Sequence, residues 1–179
     1  MTEYARVYGG SLYELAAEEK LSDAYMEEML QIKELFRENP EYIKLLSEPS
    51  IKTEERLKLI EDAFGNSAER YLVSFLKILC ERHLLNEYEG CVEMFKQRYN
   101  EDHNIVEAVV TSAVKLNDAQ LNALKVKLAS VSGRTVTLTE KIDPGVLAGI
   151  KVELNGKQLD GTVKGRIDGI SKKLNETIM

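Results

Sequence analysis

The sequence predicts a mostly α-helical chain: an amino-terminal six-helix bundle over residues 1–104, then a small α+β domain of order β-α-β-β-α over residues 105–179. Three observations carry this reading. Before residue 104 the apolar residues recur at three- and four-residue spacing, the period of a helix with one buried face, whereas beyond it β-branched residues alternate over short runs. Composition changes at the same place: all eight Tyr and all four Phe precede residue 100, and seven of the eleven Gly lie from Gly133 onward. Charge changes sign as well, from 22 acidic and 13 basic side chains in residues 1–104 (net −9) to 8 and 11 in residues 105–179 (net +3). Three properties shifting together mark a domain boundary.

The elements follow in order. Tyr4, Tyr8, Leu12 and Leu15, with Ala5 and Ala16 beside them, form the stripe of a first helix. Ser22 caps a second, whose stripe is Tyr25, Met29, Ile32 and Phe36. Asn39-Pro40 opens a third with proline at its first position, and it ends before Pro49. Thr53 caps a fourth that carries Leu57, Ile60 and Phe64 and stops at Gly65. Ser67 opens a fifth helix to about His83, and a sixth runs from about Asn86 to Asn104. Ile105 to Val114 then reads as a strand. Asn117 and Gln120 have capping-box spacing before a helix that ends at Gly133. Thr135 to Thr139 and Ile150 to Leu154 read as strands, the latter running into the hairpin signal Asn155-Gly156. Asp160 caps a last helix with Val163, Ile167, Ile170 and Leu174 on one side.

Composition and motifs exclude most chemistry. With 24 Lys and Arg against 30 Asp and Glu the chain is acidic, net −6, a poor general binder of phosphate backbones. Residues 105–179 have the right charge sign for a nucleic-acid module, but contain no aromatic residue to stack on bases and no basic cluster beyond Lys172-Lys173. The start, Met1-Thr2-Glu3-Tyr4, has no basic or apolar signal region, and no apolar run reaches the roughly 18 residues of a membrane span. Cys80 and Cys91 suit a reducing compartment. Phosphate-loop, dinucleotide, HExxH and GxSxG signatures are all missing. Gly9-Gly10-Ser11 lies inside a helical stripe and cannot cradle phosphate there. Cys80, His83, Cys91 and His103 lack the paired short spacings of a zinc site. Glu27-Glu28 and Glu54-Glu55 point about 100° apart on their helices and cannot act as acid/base couples. No catalytic, cofactor or metal residue is expected.

Two features suggest binding instead. The fifth helix is apolar around well over half its circumference, through Tyr71, Leu72, Val73, Phe75, Leu76, Ile78, Leu79 and Cys80. Such a helix is either central in its bundle or shares its surface with a partner. The first helix presents the small residues Ala5, Gly9 and Ala16, and an interior glycine costs about 1 kcal/mol relative to alanine. A second helix approaching closely would explain that cost, whether it comes from a partner or from the bundle itself.

At this point several stretches resemble the δ subunit family of bacterial and chloroplast F-type ATP synthase, equivalent to the mitochondrial oligomycin-sensitivity-conferral protein. They are Ala5-Arg6-Val7-Tyr8-Gly9-Gly10-Ser11-Leu12-Tyr13-Glu14-Leu15-Ala16, then Val110-Thr111-Ser112-Ala113-Val114-Lys115-Leu116 before a capped helix. Most specific is Ile142-Asp143-Pro144-Gly145-Val146-Leu147-Ala148-Gly149-Ile150-Lys151-Val152, leading into Leu159-Asp160-Gly161-Thr162-Val163-Lys164-Gly165-Arg166-Ile167. The resemblance implies a non-catalytic subunit of the peripheral stalk, on the cytoplasmic side of the bacterial plasma membrane. It implies a bundle that takes the amino-terminal helix of one α subunit in a groove between its first and fifth helices. Carried onto this sequence, that groove involves Tyr4, Ala5, Tyr8, Gly9, Leu12, Leu72, Val73, Leu76 and Cys80. The second domain is implied to engage the carboxyl-terminal end of the membrane-anchored b subunits, through residues the sequence does not single out. The chain is thus expected to act as one copy within a hetero-oligomer, without nucleic acid, cofactor or membrane span. The rival is a freestanding helical adaptor for some other amphipathic helix.

Overall fold

The computed structural model describes residues 1–146, 149–154 and 157–160. Two compact units divide between Tyr99 and Asn100, a few residues before the break in composition.

The first unit is helical. Its elements are α1 (Glu3–Glu18), α2 (Ser22–Glu38), α3 (Pro40–Ser47), α4 (Thr53–Phe64), α5 (Arg70–Glu81), a single 3-10 turn (Leu85–Glu87) and α6 (Tyr88–Asp102). Thr2 caps α1, its hydroxyl accepting from the Ala5 amide, and Pro40 holds the first turn of α3. Three expected caps are corrected. Ser22 and Thr53 are the first helical residues rather than caps, which are Leu21 and Lys52. Asn39 occupies the cap position of α3, but its side-chain amide donates back to the Leu35 carbonyl. The fifth helix starts at Arg70, not Ser67, because the chain turns over residues 64–69, where the Ser67 and Ala68 amides return to the Phe64 carbonyl.

The core of this unit joins every helix. Phe36, Tyr42, Phe64 and Tyr88 pack ring against ring, Phe36 and Tyr88 edge-to-face at 5.1 Å. The buried Arg56 fastens the end of α3 to the start of α4, donating to the Leu46 carbonyl at 3.0 Å and to the Thr53 hydroxyl at 3.1 Å. The Cys80 thiol donates to the same carbonyl from α5.

The second unit holds β1 (Ile105–Ser112), α7 (Asp118–Ser132), β2 (Thr135–Ile142), β3 (Ile150–Leu154) and β4 (Lys157–Asp160). The sheet order is β2-β1-β3-β4, with β1 parallel to β2 and the other neighbours antiparallel. The Asn117–Gln120 capping box forms in both directions, and Gly133 ends α7 in the left-handed conformation that glycine adopts without a Cβ penalty. Alternation along β1 buries Val106, Ala108 and Val110 on one face, against Val136, Val152 and Leu128. The fold class is therefore the one expected, with one strand more. Leu154 pairs with Lys157 across the Asn155-Gly156 signal, and the returning strand β4 ends at Asp160. The last helix expected after it lies outside the described residues.

Candidate partner-binding surface

Few of the nine candidate residues reach the surface. Helix α1 is rotated from the expected stripe. Its buried residues are Ala5, Gly9, Gly10, Leu12, Tyr13 and Ala16, while Tyr8 and Leu15 are half-buried and Tyr4 is exposed. Small residues explain the rotation. A Cβ added at Gly9 would lie 2.4 Å from the Cys91 carbonyl oxygen and 2.9 Å from the Cys91 Cα, and one added at Gly90 would lie 2.7 Å from the Ala5 Cβ. The close approach that Gly9 and Ala5 permit is thus taken up by α6, within the chain itself. Tyr13 meets Phe95 edge-to-face at 5.2 Å along the same crossing.

Helix α5 turns one face into the bundle and the other to solvent. Leu72, Val73, Leu76 and Cys80 are buried, together with Phe75 and Leu79. Of the nine candidates, seven (Ala5, Gly9, Leu12, Leu72, Val73, Leu76 and Cys80) are interior, and only Tyr4 and Tyr8 face solvent in whole or part. Both thiols are buried, and burial pushes Cys80 up and Cys91 up to about 12.

Sequence reasoning left three surface residues out of the site. Val7 on α1 is 54% exposed, and Tyr71 and Ile78, seven residues apart on one face of α5, are 44% and 43% exposed. The signal for the last two was present, since both belong to the arc that makes α5 apolar nearly all round. An apolar arc wider than the core can cover leaves its margins in water. Behind Tyr71, the Tyr25 phenol is fully buried, and burial together with the Glu69 and Glu28 carboxylates raises it to about 12. Glu28 accepts from the Glu69 amide at 2.8 Å, at the start of α5. The margin is therefore apolar with an acidic end.

No group of three or more His, Cys, Asp or Glu among the described residues could hold a metal ion, and no helix among them is long and apolar enough to cross a membrane.

Comparison with known proteins decides the family. The family model "ATP synthase delta (OSCP) subunit" matches residues 4–174. The chain belongs to the ATP synthase delta (OSCP) subunit family. It is 27% identical over 175 residues to "ATP synthase subunit delta" of Clostridioides difficile, covering 97% of both chains, and 30% identical over 170 residues to that of Prochlorococcus marinus, covering 94% of both. A chain of the Toxoplasma gondii mitochondrial ATP synthase hexamer has the same fold, with a TM-score of 0.75, covering 97% of this chain and 98% of that one at 15% identity.

Proposed function

We propose that this chain is a non-catalytic stator subunit of an F-type ATP synthase. It joins the α subunit of the catalytic head to the membrane-anchored b subunits, so that the head resists rotor torque. Family membership over nearly the whole chain supports this reading. The molecule also suits the task, being two compact units that can bind at two places.

On this reading the first unit receives an amphipathic helix from the amino terminus of one α subunit by helix-in-groove docking. The contact uses the exposed apolar margins of α1 and α5: Tyr4, Val7 and Tyr8 on the former, Tyr71 and Ile78 on the latter. The interior residues Leu72, Val73, Leu76 and Cys80 act through the bundle, holding α5 so that its margin faces outward. The second unit takes the end of the b subunits. The chain works as one copy in the assembly, at the cytoplasmic face of the membrane, and needs no cofactor.

Reconstitution tests the reading. Added to vesicles of ATP synthase from the same source stripped of its δ subunit, the chain should restore proton-driven ATP synthesis and leave the intrinsic ATPase rate of the detached head unchanged. Restored attachment without restored synthesis would contradict the torque-bearing role. No attachment at all would favour an adaptor for a different helix.

A further inference from the structure

The α5 margin ends in a group of polar side chains that the bundle does not use up. Glu69 stands at the cap position of α5, Glu28 lies against it from α2, and Glu19 follows the end of α1. Glu28 has a structural task, because it accepts from the Glu69 amide at 2.8 Å and so closes the start of α5. None of the three carboxylates forms a salt bridge, although Lys20 and Arg70 are next to two of them in sequence.

Tyr25 lies one turn before Glu28 on α2. It is fully buried, and its hydroxyl has no hydrogen-bond partner. Folding gains nothing from such a group, since an apolar ring of the same shape would be as stable or more so. Burial, then the Glu69, Glu28 and Glu19 carboxylates, raise the phenol, so its oxygen faces negative charge. Tyr71, 44% exposed, brings the apolar margin up to the same place.

The chemistry of the group selects its ligand. Three carboxylates and a neutral hydroxyl offer lone pairs to a cation and repel an anion. A metal ion does not fit, because no three acidic, histidine or cysteine side chains among the described residues could hold one. An elongated cation does: its apolar stem lies along the exposed Tyr71 ring, and its several N–H donors reach separate acceptors.

We propose that Tyr25, Glu28, Glu69 and Glu19, beside Tyr71, anchor one basic side chain of the helix that docks on the α5 margin. The identity of that helix rests on the stator reading. The stem of the basic residue packs on Tyr71, and its charge meets Glu69 and Glu28. The Tyr25 hydroxyl accepts a hydrogen bond from it once the Glu69 side chain, held by no salt bridge, turns to follow the charge. Tyr71 and Ile78 are seven residues apart, about 10 Å along α5. The docked helix therefore spreads its apolar contacts over that length and carries its cation at the end nearest Glu69.

Calorimetric titration of the full chain with a peptide of the α subunit's amino-terminal segment, from the same source, tests this. Tyr25→Phe deletes only the hydroxyl: its urea midpoint should equal or exceed that of the wild type, yet it should bind the peptide about threefold more weakly. Glu69→Gln should weaken binding about fivefold and flatten its salt dependence. Replacing each Lys and Arg of the peptide by Gln in turn should find one position with a matching loss. That loss should vanish in Glu69→Gln, where the pair is already broken. Unchanged affinity in both folded variants would overturn the proposal, and so would losses at Glu69 and in the peptide that simply add. A lowered midpoint for Tyr25→Phe would also overturn it, since the hydroxyl would then have a partner inside the bundle. No binding by the folded wild type would overturn the stator reading together with this one.

Discussion

Two adjacent glycines on α1 should respond to the same substitution with opposite sign. Gly10→Ala adds a methyl group with nothing within 4 Å of it, at a helical position. Only propensity changes there, so stability should rise by up to about 1 kcal/mol. Gly9→Ala gains the same propensity, but its methyl would stand 2.4 Å from the Cys91 carbonyl oxygen and 2.9 Å from the Cys91 Cα. Both are backbone atoms of a buried helix and cannot swing aside, so α1 and α6 must separate by roughly 1 Å to restore ordinary contact. That separation also loosens the Tyr13–Phe95 edge contact at 5.2 Å. Overpacking of this kind costs about 1–3 kcal/mol, and here it reaches the upper part of that range because no flexible side chain can absorb it. Net of propensity, Gly9→Ala should destabilise by about 1–2 kcal/mol. Urea unfolding followed by circular dichroism at 222 nm reads both variants. Equal stability of Gly9→Ala and wild type would refute the close α1–α6 crossing, and so would a destabilised Gly10→Ala.

Four further outcomes are expected. Leu76→Asp places a charge where the side chain is fully buried and should cost about 4 kcal/mol or more of stability, seen as lost helicity. Ile78→Asp, two residues on at the exposed margin, should keep the wild-type melting profile and weaken α-helix binding by about tenfold or more in a calorimetric titration. Asn117→Ala removes one side of the capping box on α7 and should cost about 1 kcal/mol, read as a lower urea midpoint of the second unit. Alkaline pH should also destabilise the first unit. Cys91 holds its proton up to about 12 when folded, chiefly because it is buried, against 9.0 when unfolded. Above pH 9 the unfolded chain therefore releases a proton that the folded chain keeps, and stability falls as pH rises, by up to about 1.4 kcal/mol per pH unit for that thiol. Urea midpoints at pH 8 and pH 10.5 would show the drop.

Periodicity carried most of the architecture. The stripes of α2 and the alternation of β1 and β3 could be read directly, because one face of each is buried and the other is not. The capping box at Asn117 and the left-handed Gly133 were legible for a similar reason: each is a local device whose partners lie within four residues. The site was harder. Tyr8 and Leu12 sit on one sequence stripe, but Gly9 and Ala5 let α6 approach so closely that α1 turns its small residues inward and leaves Tyr4 outside. Apolar character alone does not say whether a side chain fills a core or a groove. Leu76 and Ile78 are equally apolar and two residues apart, and only the packing of α5 separates them into interior and margin. The fourth strand was implied by the hairpin signal Asn155-Gly156, which calls for a returning strand after it.

The central claim, that the margins of α1 and α5 receive a helix of the α subunit, is tested most directly by calorimetric titration. The full chain is titrated with a peptide of that subunit's amino-terminal segment from the same source, wild type beside Tyr71→Asp/Ile78→Asp. One-to-one binding by the wild type, lost in a variant that keeps its helical spectrum, is the predicted result. No heat from the folded wild type, or equal affinity in the two chains, would contradict it.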